Sequence, residues 1–282
     1  MKEWSDMAFA WVDGQLVEEK RAVISIFDHG LVVGDAAFET IAVVGGQPFA
    51  LTRHVARLRR TASGLGIVEP EVGLVEHAIK EVVGANSYPL AKVRVTYTGG
   101  DSELGSVRRG DPPHLIVAEQ PVEVEPTVSR LAVSPWPRNE RGAIAGLKTT
   151  SYAENVVGLR WANQRGASEV IFPNTRDEVC EGSGSNIFLV RGGEVVTPPL
   201  SSGALAGVTR DLIVEGFGVK EVPLALTELY QPETTEIFVT STLRMVQGCE
   251  QIDERRFDGA PGPKTREIQG YFADLVATKI DP

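Results

Sequence analysis

Hydrophobic positions in this chain recur at two periods, and the two alternate along its length. Phe9-Ala10-Trp11-Val12 followed by Asp13-Gly14 reads as the opening of a β-hairpin. Leu51, Val55, Leu58, Ala62 and Leu65 then recur at helical spacing, with Thr52 placed to cap that helix. A second helical stripe, Val72, Val75, Ile79 and Val82, ends near Gly84. Val93, Val95 and Tyr97 alternate with Arg94 and Thr96 as in a half-buried strand, and His114–Ala118 is another. From Glu119 to Thr127 the pattern breaks, with Pro121 and Pro126 among Glu and Val, which reads as a linker. Beyond it come a strand at Arg130–Ser134, a helix over 151–165, and strands at Glu169–Phe172, Asn186–Val190 and Glu194–Thr197. A short helix at Val208–Gly216, a strand at Glu236–Thr240 and a last helix at Lys264–Lys279 complete it. The order predicts a small N-terminal α/β domain over 1–118, a linker over 119–127 and a larger, barrel-like α+β domain over 128–282.

Composition narrows the class. A length of 282 residues, 42% hydrophobic and 23% charged, is enough for two packed cores and excludes a disordered chain. Net charge is −10, with the acids dispersed, so nucleic acid is not an expected partner. Cys180 and Cys249 are too few for a disulfide framework or a four-cysteine zinc site, which points to a reducing compartment. No apolar run approaches the ~18 residues of a membrane span. The start, Met1-Lys2-Glu3-Trp4-Ser5-Asp6, lacks the apolar core of a signal peptide. The expectation is a soluble, cytoplasmic protein with no membrane partner.

Five local features carry candidate chemistry. Lys148 lies between Gly146-Leu147 and a helix start, where burial would lower the amine's pKa and make it a nucleophile; taken alone, a snorkelling surface lysine is the commoner reading. Glu181 precedes the apolar strand from Ile187 through small residues, placed either to face a charged ring nitrogen or to sit in a solvated turn. Gly203-Ala-Leu-Ala-Gly-Val-Thr-Arg-Asp211 sets Val208 and Thr209 at a helix start, where free N–H groups favour an anion. Thr240-Ser241-Thr242 lines up three hydroxyls at a strand end; ordinary capping and turn chemistry explains both segments as well. Arg53-His54, near a helix start, offers either a charge-assisted contact or an exposed helix residue. There is no nucleophile elbow, no metal signature among four histidines and no Gly-x-Gly-x-x-Gly.

Several longer motifs stand in one order. They are Asp28-His-Gly-Leu-Val-Val-Gly-Asp-Ala-Ala-Phe-Glu-Thr40, Arg53-His with Arg57-Leu58, and Lys148-Thr-Thr-Ser-Tyr-Ala-Glu-Asn155. Glu181-Gly-Ser-Gly-Ser-Asn-Ile-Phe188, Thr197-Pro-Pro, Gly207-Val-Thr-Arg-Asp211 and Thr240-Ser-Thr242 follow. Over about Phe9 to Ala277 this resembles the class IV aminotransferases, pyridoxal-phosphate enzymes of fold type IV. That family includes branched-chain, D-amino-acid and (R)-amine transaminases and 4-amino-4-deoxychorismate lyase. The resemblance implies a two-domain fold with a C-terminal pseudo-barrel, pyridoxal 5'-phosphate as cofactor, and a homodimer in which a partner loop closes the pocket. It implies Lys148 as the Schiff-base lysine and Glu181, 33 residues on, as the carboxylate at the pyridine nitrogen. Arg53, the backbone of Val208 and Thr209, and Ser241 with Thr242 correspond to the phosphate cup, and Tyr152 to a residue near the cofactor's phenolic oxygen.

For substrate contacts the candidates are Phe38, Arg94, Tyr97 and Arg138. Arg94 is similar to an arginine of branched-chain enzymes, whereas Tyr97 stands where D-amino-acid transaminases carry an arginine. Arg138 is read either as a carboxylate partner or as a surface ion pair. The implied reaction is transamination between an amino acid, or amine, and a 2-oxo acid. The alternatives are cleavage of 4-amino-4-deoxychorismate to 4-aminobenzoate and pyruvate, or a non-catalytic cofactor-binding protein, against which Lys148 and Glu181 both stand.

Overall fold

Residues 8–282 are described by a computed structural model, and every count or absence below refers to these described residues. The opening Met1–Asp6, read above for a leader, lies outside them. The chain divides into two compact units. One comprises the chain through Glu123 with Leu147–Tyr152 and Asp281; the other comprises Val124–Gly146, Ala153–Ile280 and Pro282.

In the first unit, strands β1 (Phe9–Val12) and β2 (Gln15–Glu18), the short helix α1 (His29–Val32), and strands β3 (Ala36–Val44) and β4 (Gln47–Pro48) precede helices α2 (Leu51–Gly64) and α3 (Val72–Asn86). Strands β5 (Leu90–Thr98) and β6 (Leu115–Pro121) follow. The strands form a six-stranded sheet ordered β2-β1-β6-β5-β3-β4, and each ladder is antiparallel. Alternation along β5 turns Val93, Val95 and Tyr97 toward the helices, where they pack with Val55, Leu58, Ile79 and Val82. Fully burying each such side chain is worth about 1.5–3 kcal/mol, which makes this stripe the main support of the unit.

Three departures from the sequence reading have local causes. Thr52 does not cap α2. It sits inside the first turn, and its N–H and Oγ1 both donate to the Asp281 carboxylate, at 3.0 and 2.5 Å, leaving an anion at the helix N-terminus. Glu119, assigned to the linker, still belongs to β6, since ladder pairing runs on to Pro121. The helix expected from about 151 starts at Ala153, because the preceding residues pair with the edge of β3 instead. Phe38 N–H donates to Lys148 O, and Thr150 N–H to Ala36 O, both at 2.9 Å.

The second unit begins with β7 (Val128–Val133), α4 (Ala153–Asn163), β8 (Glu169–Pro173) and β9 (Val179–Gly182). It continues with β10 (Asn186–Arg191), β11 (Glu194–Thr197), α5 (Val208–Phe217), β12 (Lys220–Glu221) and β13 (Thr234–Ser241). Strands β14 (Met245–Ile252) and β15 (Arg255–Arg256) and helix α6 (Pro263–Thr278) end it. The sheet is mixed, nine-stranded and ordered β12-β11-β10-β13-β14-β7-β8-β9, with β15 beside β14. It curls enough for Gly182 N–H, ending β9, to bond Ser185 O just before β10, which gives the half-barrel form. Ile187 and Leu189 face a core with Leu131, Ile171, Ile237 and Val239. Alternation therefore sends Asn186 and Phe188 to the opposite face, where Asn186 lies across from Thr240 and Phe188 stacks on Phe238 at 4.8 Å. Cys180 and Cys249 are free and buried, and burial pushes both thiols up, out of reach of thiolate chemistry. No helix is long and apolar enough to cross a membrane.

Candidate active site

In the first unit the predicted residues gather around β3. Phe38 and Glu39 are neighbours in a strand and so face opposite sides of the sheet. On Phe38's side, the edge pairing of Lys148–Thr150 brings the Lys148 amine to 4.2 Å from the Phe38 ring centroid and 5.9 Å from that of Tyr152. The two rings meet edge to face at 5.2 Å. Arg94, across the ladder from Thr40, lays its guanidinium 3.4 Å from the Phe38 centroid. Burial pushes Arg94 down to about 10, with Tyr152 and Glu39 opposing, so it stays charged at neutral pH. Two cations and two aromatic faces thus share one patch, a surface suited to a carboxylate or phosphate ligand.

On the other side Glu39 is 1% exposed and takes two hydrogen bonds from Arg57, at 2.8 and 2.7 Å, and pairs with His54 Nδ1 at 2.7 Å. His54 and Arg57, three apart on α2, reach the same carboxylate from one helix face. Burial pushes the Glu39 carboxyl up, but the charge and hydrogen bonds of Arg57 and His54 outweigh it and leave it at about 2. Burial pushes His54 down, and the charges of Arg57 and Lys148 add to this against Glu39, which favours neutral imidazole.

In the second unit Glu181 lies on β9, 6% exposed, rather than in a solvated turn. Arg138 Nη1 donates to its Oε1 at 2.7 Å, and Leu205 N–H donates to its Oε2 at 2.8 Å. Arg138 also bonds Asn155 Oδ1 at 2.8 Å and rests 4.6 Å above the Phe172 ring. The Ser183–Ser185 turn that follows is pinned by buried Glu169, which accepts from Ser183 N, Ser183 Oγ and Ser185 Oγ. Val208 and Thr209 open α5, whose N-cap Gly207 supplies no side-chain bond, so its first-turn N–H groups are the free donors of a helix start. Ser241 ends β13, its Oγ accepting from Arg244 N–H at 3.2 Å, and half-buried Thr242 begins the turn after it. Thr240 Oγ1 is buried with no hydrogen-bond partner among the described residues.

Two expectations change. Arg138 is not a surface pair: its guanidinium is held by the buried Glu181 carboxylate and by Asn155. Tyr97 is 8% exposed within the helix-side core, and burial pushes its hydroxyl up; strand alternation turns it away from Phe38 and Arg94. Arg53 is a half-buried residue of α2, whereas Arg57, one turn on, is buried and built into the Glu39 cluster. The reading of candidate chemistry passed over Glu39, Asn155 and Asn186 as working residues. For Glu39 a signal existed: a charged residue within Ala36–Val44, an otherwise largely apolar stretch, calls for buried cations, and His54-x-x-Arg57 supplies them.

Known proteins agree in sequence and in structure. The family model for "Amino-transferase class IV" matches residues 36–252. A putative branched-chain-amino-acid aminotransferase of Methanocaldococcus jannaschii is 31% identical over 277 residues, covering 94% of this chain and 95% of that one. Aminodeoxychorismate lyase of Bacillus subtilis is 31% identical over 284 residues, covering 96% and 95%. The branched-chain aminotransferase of Thermoproteus uzoniensis, solved with norvaline, superposes with a TM-score of 0.89 at 28% identity, covering 96% and 95%. With the family matched across most of its length and the fold shared with a solved relative, this chain belongs to the class IV aminotransferases.

Proposed function

We propose that this protein is a pyridoxal 5'-phosphate-dependent transaminase acting between an amino acid and a 2-oxo acid, with Lys148 as its catalytic residue. The side chains present fit the cofactor. A buried carboxylate held by a cation and an N–H suits a protonated ring nitrogen. The start of α5 and the orphaned Thr240 hydroxyl suit the phosphate, and the rings of Phe38 and Tyr152 suit an aromatic plane beside Lys148. The observation that carries the reading is Glu181, buried on β9 and locked by Arg138.

Bound there, pyridoxal phosphate supplies an electron sink that acidifies the substrate Cα–H. Lys148 would hold the cofactor, and its Nζ would take up the substrate's Cα proton as general base and, as general acid, deliver a proton to the carbon that carried the cofactor's aldehyde. Glu181 would face the ring nitrogen, and Arg138 holds the Glu181 carboxylate in place. Thr209, the Val208 backbone, Ser241 and Thr242 would bind the phosphate. Arg94, stacked on Phe38, receives the substrate carboxylate. Matched transaminases support this over the lyase, which one relative's name also raises.

The same reading includes a homodimer. Val23, Ile26, Phe27, Leu31 and Val33 are exposed, and Leu104 and Val107 of a second loop are 72% and 77% exposed. The two stretches are tied by Ser102 N–H to Phe27 O and by His29 Nε2 to Gly105 O, forming one apolar surface suited to a second copy. The two free, buried cysteines fit a cytoplasmic setting.

The deciding experiment uses L- and D-amino-acid panels and 4-amino-4-deoxychorismate. A good amino donor alone is expected to bleach the cofactor's visible absorbance, and a 2-oxo acid to restore it. Turnover of aminodeoxychorismate with no donor-induced bleaching would make the protein a lyase.

A further inference from the structure

Resting on the reading that Glu181 meets the ring nitrogen and the start of α5 holds the phosphate, we propose that Asn186 is a positioning residue that fixes the distance between those two ends of the site. Asn186 is 6% exposed, and its main chain is set by pairing with Thr240. Its Nδ2 donates to Leu205 O at 2.9 Å and lies 3.4 Å from Glu181 Oε2. Leu205 N–H donates to that same Oε2 at 2.8 Å. One residue, Leu205, is therefore gripped at its N–H by the carboxylate and at its carbonyl by the amide.

The amide oxygen serves the other end. Gly207, the N-cap of α5, approaches so closely that an added Cβ would stand 2.0 Å from Asn186 Oδ1. Glycine is required there by the neighbour, since its φ of −73° suits any residue. Asn186 thus touches the carboxylate, the connecting backbone and the N-cap residue of the helix. Ring nitrogen and phosphate belong to one small molecule, joined through the ring and a short methylene ester arm, so their protein partners must keep a limited range of separations. A residue bridging both partners is how this unit can hold that spacing.

The test compares pyridoxal phosphate with pyridoxal, which lacks the phosphate and needs no fixed spacing. Dissociation constants are measured for the wild type, Asn186→Ala, Asn186→Asp, Gly207→Ala and the Asn186→Ala/Gly207→Ala pair. Asn186→Ala and Asn186→Asp are expected to weaken pyridoxal phosphate about tenfold, the scale of one lost buried hydrogen bond, and pyridoxal by no more than about twofold. Asn186→Asp keeps the volume and so guards against simple misfolding. Gly207→Ala is expected to weaken pyridoxal phosphate similarly, and the double variant to be no worse than Gly207→Ala, since the new methyl enters the vacated space. Equal losses for both ligands, or additive losses in the double variant, would overturn the proposal. A Glu181→Gln control is titrated by the absorbance of the bound cofactor against pH. An unchanged titration overturns the assignment of Glu181 and the proposal with it. A shifted titration with unselective Asn186 variants overturns the proposal alone.

Discussion

The two units each bury a carboxylate against an arginine, yet the pairs are built in opposite senses. Around β3 the acid is the anchor: Glu39 gathers Arg57 and His54 from one face of α2. Around β9 the cation is the anchor: Arg138 holds Glu181 and Asn155, and backbone N–H from Leu205 completes the grip. The first arrangement fixes positive groups, which suits binding an anionic ligand. The second fixes a negative group, which suits stabilising a proton on a ligand. A buried ion pair is weak evidence for stability, but the member it immobilises indicates what the site offers.

The largest effect should come where neither pair can compensate. Lys148→Ala is expected to cut transamination by about 10⁴-fold or more, measured as steady-state turnover, with the fold intact by circular dichroism. Glu39→Gln should follow with a loss of about 3 kcal/mol in denaturant unfolding, because it strands the buried Arg57 charge. Its pH dependence makes the anchoring sense testable. Glu39 is held at about 2 against 4.5 unfolded, so its contribution is complete above pH 4.5 and disappears as pH falls toward 2. That steep acid loss should flatten in Glu39→Gln; an unchanged acid limb would show that Glu39 anchors nothing. Glu181→Gln is expected to slow turnover about 10²-fold, equivalent to about 2.7 kcal/mol, while leaving stability less affected than Glu39→Gln does.

Glu119 sharpens the contrast as a buried carboxylate with no cation beside it among the described residues. Burial pushes it up to about 7, with the Asn86 amide opposing. A raised carboxyl costs nothing below pH 4.5 and imposes its full penalty above pH 7. Glu119→Gln should therefore stabilise the protein by on the order of 2 kcal/mol at pH 8 and by almost nothing at pH 4, read from paired urea curves.

Legibility in the sequence follows the same division. Helices α2, α3 and α6 and strand β5 announce themselves because each has one buried face, so their periods are visible. Strand β3 is buried on both faces, which erases the alternation and hides Glu39 inside it. Strand β9, Val-Cys-Glu-Gly, is short and ends in a small residue, so Glu181 reads as part of a turn. Lys148 and Glu181 are visible locally as candidates, but only motif order separates them from a surface lysine and a solvated turn. Which arginine of α2 is buried was not legible: Arg53 and Arg57 are one turn apart, and the choice depends on Glu39 from a distant strand. The tie of Arg138 to Glu181, 43 residues away, likewise exists only in the folded sheet.

The six residues Leu147–Tyr152 belong to the first unit although the chain on both sides of them belongs to the second. No single cut can therefore yield two self-sufficient fragments. A break near Glu123 gives an amino-terminal piece whose β3 edge is bare at Ala36 and Phe38 and which lacks its lysine. The complementary piece would carry Lys148 without the strand that places it. Genetic division of this protein should succeed only by co-expression, and tolerated circular permutants should have new ends away from residues 124–152.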